Sequence, residues 1–556
     1  MGVDSTRFLD QTETFDQEAT LTFERTTLAR SFAERAMRMS RILGIFLLTS
    51  LLLLCPAVAV AQQAYGEVAF VNSGPAAAQS DFLQGLAQLH NFEYDDAAEH
   101  FRKAQQLAPD FALAFWGEAM TKNHALWHEE DVAAARMILK RLGPTPEARL
   151  AKTLTERERL YLQSIEVLFG EGAKEERDRR YESVLAELHR KFPEDVDATS
   201  FYALAILGTA EHGRDFATYM RAAAVLEEVF PQHPRHPGVV HYLIHSYDDS
   251  IHAPLGLRAA RIYAKIAPEA GHAQHMTSHI FLALGMWDDE VKANEIAVAI
   301  GNRLRQKAGR PPGWCGHYNE WLEYGYMQQG RVADARRVLE GCRQVVERAV
   351  APHDNAPGNN TMGGMMSSNM LVESYADMRA NFLIDSQLWN DDVVRSTLPA
   401  GDDPMAQLTF DYTNALAAIR RGDLAVAREA VARAESDRQR AAVRGKEQRY
   451  ADPRRDQRLT ILTEQLRALL TAAEGKSEVG VTELKRIAAE EHAMSVEFGP
   501  PAVYKPTDEL LGELLLELHR SSEARDAFQV ALGRAPGRRS VVQALARADK
   551  EIVAAK

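Results

Sequence analysis

Three cysteines in 556 residues are too few for a disulfide framework, so the fold has to rest on an apolar core. Strand signals are also missing. No stretch alternates with β-branched residues between hairpin turns, which excludes a sheet-based architecture. Basic stripes are absent too: the net charge is -13, and the Arg-rich stretch 438–458 is interrupted by Glu447 and Asp452. Nucleic acid is thereby excluded as a partner. There is no Gly-rich phosphate loop, nucleophile elbow or Cys-x-x-Cys pair, so the common signatures of nucleotide, acyl-transfer and dithiol chemistry are missing. With 46% hydrophobic and 26% charged residues, the composition is that of an ordinary soluble protein rather than a disordered one.

One long apolar run is present. Arg38 and Arg41 precede the charge-free stretch 42–54, and Ala59-Val60-Ala61 follows. A basic region, an apolar region and an A-x-A site in that order make a secretory signal, with cleavage expected before Gln62. The polar residues 1–36 do not fit a signal, and a start at Met37 or Met39 would remove them. Leu54 before Cys55 is too large for lipobox processing, so an acyl anchor is not expected. Residues 42–61 are about the 20 needed to span a bilayer, so an uncleaved anchor is the alternative. The chain is thus expected to be periplasmic or secreted, touching a membrane only through this segment. Cys315 and Cys342 then remain, either as one disulfide or as buried small hydrophobes.

Four segments share a register of small residues. Ala97, Phe101, Ala104 and Pro109 follow the turn residues Phe92 and Tyr94, and Ala524, Phe528, Ala531 and Pro536 repeat that spacing. Gly330, Val332, Ala335, Leu339 and Cys342 keep the register, as do Gly422, Leu424, Ala427, Val431 and Ala434. Small residues let two antiparallel helices approach, the larger one fills the gap between pairs, and Pro ends the second helix. This pattern resembles the tetratricopeptide repeat. The fold class expected is all-α, an α-solenoid built as a right-handed superhelix of helix-turn-helix repeats. Its parts are an N-terminal extension and signal over 1–61, a linker over 62–78, repeats over 79–350 and 365–556, and a Pro/Asn/Gly-rich loop over 351–364. Residues 441–455 suggest a second flexible connection.

What the chain has in quantity is histidine. Nine of its 18 histidines fall between His212 and His279. Five occupy two expected helices, His241-Tyr-Leu-Ile-His245 and His272-Ala-Gln-His275-Met-Thr-Ser-His279. A helix advances about 100° per residue, so His241/His245 share one face and so do His272/His275/His279. Two i,i+4 pairs on neighbouring helices would supply the four nitrogen ligands that zinc or copper favours. His272 lies roughly 10 Å along the helix from His279, too far for all three to serve one ion. The expected ligands are therefore His241, His245, His275 and His279. Asp248 and Asp249 are candidate further ligands, or carboxylates that orient an imidazole. His252 and His272 could complete a second position, and His317 opens the next first helix.

His124 and His128 form another i,i+4 pair expected to face the same cavity. By contrast His233 and His236, in a Pro-rich loop, read as ordinary core or surface groups. Two other readings of the cluster stay open: a buried hydrogen-bond network, and a site for an anionic or polar ligand. The zinc-protease helix H-E-x-x-H is excluded, because Tyr242 stands where its Glu should be. A hydrolase would need a base from Asp248, Asp249, Glu320 or a more distant carboxylate.

The blocks His-Pro-Gly-Val-Val-His-Tyr-Leu-Ile-His (236–245) and His-Ala-Gln-His-Met-Thr-Ser-His-Ile (272–280), and the closing Gly-Pro-Pro (499–501) with Pro506, Glu509, Gly512 and Glu513, resemble a group of exported bacterial tetratricopeptide-repeat proteins. The resemblance covers nearly all of the chain after residue 61 and implies fold and compartment; it names no substrate. In such arrays the first helices line a concave groove, which puts the histidines on one wall. Two functions compete. One is a scaffold whose groove takes a protein or peptide; the other is a metalloprotein whose groove closes around the histidines. A peptide groove needs Asn, Lys and Arg, whereas these helices carry His, Tyr, Trp and Met, which favours the metal. Glu509 and Glu513, an acidic i,i+4 pair, are expected on an exposed face, with the same groove as the alternative.

Overall fold

Several helix starts in this chain are set by side chains that accept the orphan N–H groups of a first turn. Asp131, Thr145, Thr155, Asp195 and Asp215 each do so, bonding the amide of the residue three positions on. His236 does the same for Val239, with Pro237 in the first turn where its missing N–H costs nothing. The computed structural model describes residues 64–211, 213–350, 368–397, 403–447, 453–496 and 498–555. The signal over 42–61 with Cys55, the loop 351–364 and part of the connection 441–455 lie outside those residues.

Among the described residues there are 23 α-helices and a single two-stranded ladder of two residues per strand. The helices that matter for the site are α1 (Ala76–His90), α2 (Tyr94–Leu107), α3 (Ala112–Met120), then α4 (Val132–Leu142), α5 (Pro146–Leu150), α6 (Glu156–Leu168), α7 (Lys174–Lys191) and α8 (Val196–Gly208). The central units follow: α9 (Phe216–Val229), α10 (Pro237–Tyr247), α11 (Ala253–Ile266), α12 (Gly271–Ala283), α13 (Trp287–Lys307), α14 (His317–Gln329) and α15 (Val332–Val350). The C-terminal units run from α16 (Ser368–Ser386) and α17 (Pro404–Arg421) through α18 (Leu424–Glu447), α19 (Pro453–Ala473) and α20 (Ser477–His492) to α21 (Thr507–Glu517), α22 (Ser521–Arg534) and α23 (Arg539–Ala554). Consecutive helices pack as antiparallel pairs, and each pair packs on the next. The all-α repeat array read from the sequence is the architecture found.

The repeat register has a packing cause. Ala97, Phe101 and Ala104 are buried in the first pair, and Ala524, Phe528 and Ala531 in the last full one. A Cβ on Gly512 would collide with the Phe528 ring, as one on Gly117 would with Phe101. Each glycine opens the slot that the phenylalanine of the pairing helix fills.

The first and second helices of the central units differ in burial. Every residue of α10 and of α12 is buried, whereas α11 and α13 bury one face only. The inner side is filled by the protein's own chain. Helix α1 packs on α10, and segment 498–506 lies over α14 and α21. The stretch read as a linker takes part as well: Val68 and Phe70 are buried in the N-terminal core. At the other end Arg538 is 1% exposed and donates to Glu509 (2.7 Å), Asp385 (2.6 Å) and the Tyr324 hydroxyl (3.1 Å). Trp287 Nε1 donates to the Gly537 carbonyl at 2.8 Å. The last pair is thus tied to α14, α16 and the start of α13.

Two expectations change here. Glu509 is buried, not exposed, and accepts from Lys505 and Arg538; its i+4 partner Glu513 is half-buried and binds Lys505 and Arg420. The acidic spacing reflects an internal ion-pair hub. His124 and His128 do not share a helix face: His124 is in a strand, a 3-10 turn follows, and His128 is left-handed at φ 54°. His124 stacks on Tyr94 at 4.3 Å.

Phe528→Ala is expected to destabilise the chain by about 3–5 kcal/mol in urea unfolding, as large-to-small changes in a packed core do. Gly512→Ala should lower the midpoint as well, through the collision with that ring. A Phe528→Ala chain as stable as the parent would contradict the slot-and-ring packing.

Candidate functional site

The histidine blocks lie on α10, α12 and the start of α14, three consecutive first helices. Because all residues of α10 and α12 are buried, no imidazole there can turn to water. His241, His245, His275 and His279 are each at most 3% exposed, and His272 is 6%. Each neutral ring then has one N–H to give and one lone pair to fill.

Most of the Nδ1 atoms are spoken for. His241 Nδ1 donates to the backbone carbonyl of His90 at 2.7 Å. His279 Nδ1 lies 2.8 Å from Asp248 Oδ2 and His245 Nδ1 3.6 Å from the same oxygen. His275 Nδ1 lies 2.7 Å from Asn294 Oδ1. The Asn294 amide nitrogen donates to the Glu290 carboxyl at 2.6 Å and to the Glu290 backbone carbonyl at 3.3 Å. A carbonyl only accepts, so the amide oxygen must face His275 and His275 Nδ1 must be the donor. Asp248 is held as a carboxylate: burial alone would raise its pKa, but Arg214 and the two histidines more than offset this and keep it well below the usual range. His279 Nδ1 is therefore also a donor.

With both Nδ1 atoms fixed as donors, the two rings turn their Nε2 atoms inward. His275 Nε2 and His279 Nε2 face each other at 3.1 Å. Two lone pairs at that distance repel unless a proton or a metal ion lies between them. Burial, followed by the neighbouring histidines, pushes His275 well below its ordinary pKa, so His275 itself does not carry that proton. His317 completes this group, with its ring 4.6 Å from His275; the residue is exposed at the rim, while burial on the ring's inner side pushes the imidazole down to about 3. Across from it, His241 Nε2 and His272 Nε2 lie 3.2 Å apart, and buried His245 Nε2 has no hydrogen-bond partner among the described residues.

The four ligands expected from the sequence do face one another, but not as one set. The ligand atoms that lie within 4.8 Å of one another group as His241/His245/His272 and as His275/His279/His317, with His245/Asp248/His279 linking the two and His90/Asp197/His236 lying apart. His272 joins the α10 pair because it stands opposite His241 on the facing helix, and His317 joins the α12 pair from α14. Asp248 takes the orienting place considered for it. Asp249 instead accepts from His252 Nδ1 at 2.9 Å and lies 3.5 Å from Arg214; neither it nor His252 reaches the imidazole groups. Glu320, one turn after His317, is pushed up to about 7 by burial and then by Asp377.

The motif residues around the blocks now have reasons. A Cβ on Gly238 would collide with His90 Nδ1, so the glycine of the His-Pro-Gly block makes room for that ring. Gly499, at φ +93°, would place a Cβ 2.6 Å from Trp321. That glycine lets the chain pass close enough for Phe498 to stack on His279 at 5.0 Å, while Trp321 stacks at 4.4 Å. Phe92 is left-handed at φ 57° and buried, with His241 at 4.4 Å and His272 at 5.4 Å.

Sequence reasoning missed His90 and Asp197, and took His236 for an ordinary group. His90 Nε2 and His236 Nε2 both bind Asp197 Oδ1, at 3.0 and 3.1 Å. The Tyr242 hydroxyl serves His90 Nδ1 at 3.1 Å, and the Val239 amide serves His236 Nδ1 at 3.4 Å. Every ring nitrogen is satisfied there, so this triad is a structural hydrogen-bond network. The contrast with the Nε2 contacts on α12 is the useful one.

No family model and no curated protein matches the chain. Among solved structures it is similar to the APC/C hetero-tetramer Cut9–Hcn1, at 11% identity over 86% of this chain and 78% of that one, with a TM-score of 0.34. Yeast Tom70 is similar at 11% identity, 86% and 89% coverage and a TM-score of 0.30. The human IFIT1 dimer with m7Gppp-AAAA gives 10%, 89% and 93%, and 0.34. The reading of the site rests on its own geometry.

Burial dictates an acid response. It lowers His90 from 6.5 to about 4 and pushes His241, His272 and His275 well below 6.5. Below 6.5 the unfolded chain takes up protons that the folded one refuses, so stability is full above that pH and falls as pH drops towards 4. The slope is about 1.4 kcal/mol per pH unit for each such histidine. The urea midpoint of metal-free protein should therefore drop clearly between about pH 7.5 and about pH 5.5. An unchanged midpoint would mean that these rings are not buried neutral.

Proposed function

We propose that this chain is an exported helical-repeat protein whose closed interior holds a transition-metal ion, zinc or copper, on His275, His279 and His317. One observation carries the reading. The two Nε2 atoms 3.1 Å apart belong to rings whose Nδ1 atoms must both donate, and a cation is what such a pair accommodates. The outer bonds, to Asp248 and Asn294, are the kind that fix the tautomer and raise the basicity of metal-ligating histidines. Exposed His317 leaves an edge through which an ion or a small ligand can reach the site. When bound, the ion would supply Lewis acidity at that edge.

Export is favoured by the leader-like order of residues 38–61 and by the disulfide between Cys315 and Cys342, a bond that persists in oxidising compartments. A protein or peptide partner is the second reading. It would have to use the outer helices or the rim at His317, because α10 and α12 are buried along their whole length.

Protein purified without a histidine tag should carry zinc or copper by elemental analysis, and loading should raise its stability by about 2.7 kcal/mol at a free concentration of 100 times Kd. His279→Ala should abolish this effect, whereas His233→Ala, at an exposed position, should leave it intact. Binding of neither metal above background would sink the proposal. For the compartment, the mature N-terminus should fall near Gln62; a cytoplasmic protein retaining residues 42–61 would contradict export.

A further inference from the structure

The first group leaves three buried imidazoles unexplained. His241 gives its Nδ1–H to the His90 carbonyl, so its Nε2 is a lone pair aimed at His272 Nε2 3.2 Å away. A proton on His272 Nε2 would satisfy that contact, with the Tyr318 hydroxyl beside His272 Nδ1 at 3.5 Å. Nothing comparable serves His245. Its Nδ1 faces Asp248, its Nε2 has no partner among the described residues, and its side chain is 4% exposed. That orphaned nitrogen belongs to a set whose three ligand atoms lie within 4.8 Å of one another. Leaving a buried polar atom unpaired costs about 1–3 kcal/mol, and no described protein group offers His245 Nε2 a hydrogen bond.

We infer that His241, His245 and His272 form a second transition-metal site beside the first, so that the interior holds a pair of zinc- or copper-type ions in a centre of six imidazoles. The inference rests on the metal reading of the His275 group. Among the described residues no more than three ligand atoms lie mutually within 4.8 Å, so the six imidazoles do not converge on one point. The two sets come from different ring triplets, with ring centres 5.7 Å apart for His245 and His279 and 6.2 Å apart for His272 and His275. A single carboxylate joins them. Asp248 Oδ2 accepts from His279 at 2.8 Å and faces His245 at 3.6 Å, while Arg214 pairs with the other oxygen. Asp248 is thus a positioning residue shared by both sets. Phe92 closes the second set on its outer side, at 4.4 Å from His241, 5.4 Å from His272 and 6.0 Å from His245. The second site is the more secluded of the two, since its three histidines are all buried whereas His317 is exposed.

The test is stoichiometric. Untagged full-length protein, stripped with a chelator, is titrated with Co²⁺ and followed by its visible absorbance, with zinc counted by elemental analysis after dialysis. The expected result is two equivalents for the parent, one for His272→Gln and one for His275→Gln, and none for the double variant. Glutamine keeps bulk and polarity, and circular dichroism with melting of each metal-free variant establishes that it is folded. If the parent saturates at one equivalent that His275→Gln loses and His272→Gln keeps, the second site is overturned while the first stands. One equivalent lost by either variant alone would mean a single ion shared between the sets, and overturns the pair. No binding by the parent overturns both readings.

Discussion

Packing imidazoles where water cannot reach them disfavours the charged form, and a neutral ring must both give one proton and fill one lone pair. The interior of this protein is organised by that requirement. The acceptors are set in place from outside the ring cluster: the His90 carbonyl for His241, Asp248 for His279, Asn294 for His275. With the outer nitrogens fixed as donors, the inner ones are left as converging lone pairs. Where donors are also available, at Asp197 with Tyr242 and the Val239 amide, the same residue type makes a satisfied network instead.

Such a cluster can exist only if the array closes around it. Helix α1 covers α10 from the N-terminal side, and the segment at Phe498 and Gly499 covers His279 and Trp321 from the C-terminal side. The second cover is held down by buried ion pairs. Arg538 joins Glu509, Asp385 and Tyr324, and Lys505 joins Glu509 and Glu513. Charged pairs of this kind add little net stability against an apolar replacement, yet removing one partner is costly because the other is left buried. They therefore fix which surfaces meet more than they strengthen the fold.

The sequence made the repeat array legible because its signals are local: Ala97, Phe101 and Ala104 recur at fixed spacing, as do Ala524, Phe528 and Ala531. The pairs His241/His245 and His275/His279 were legible for the same reason, being one helical turn apart. What the sequence could not supply was height along facing helices. Whether His241 meets His272 or His275 depends on how α10 and α12 slide past each other, and that is set by packing with α11 and α13. His90 was invisible because its partners lie 107 and 152 residues away. Glu509 was read as exposed because charge spacing says nothing about a distant Arg538. The local signal that was there to be used is Gly238, whose lack of a side chain marks the close approach of His90.

The covering segment at Phe498 stands more than 200 positions along the chain from the ring it stacks on. Contacts of such long range form late, since the intervening chain must first be ordered. Helices α10, α12 and α14 can pair early with their sequence neighbours and present their imidazoles to solvent, and only the arrival of the C-terminal units seals them in. The ring of His279 is thus covered only once the C-terminal segment has docked on it, whereas the rim at His317 stays open in the finished fold.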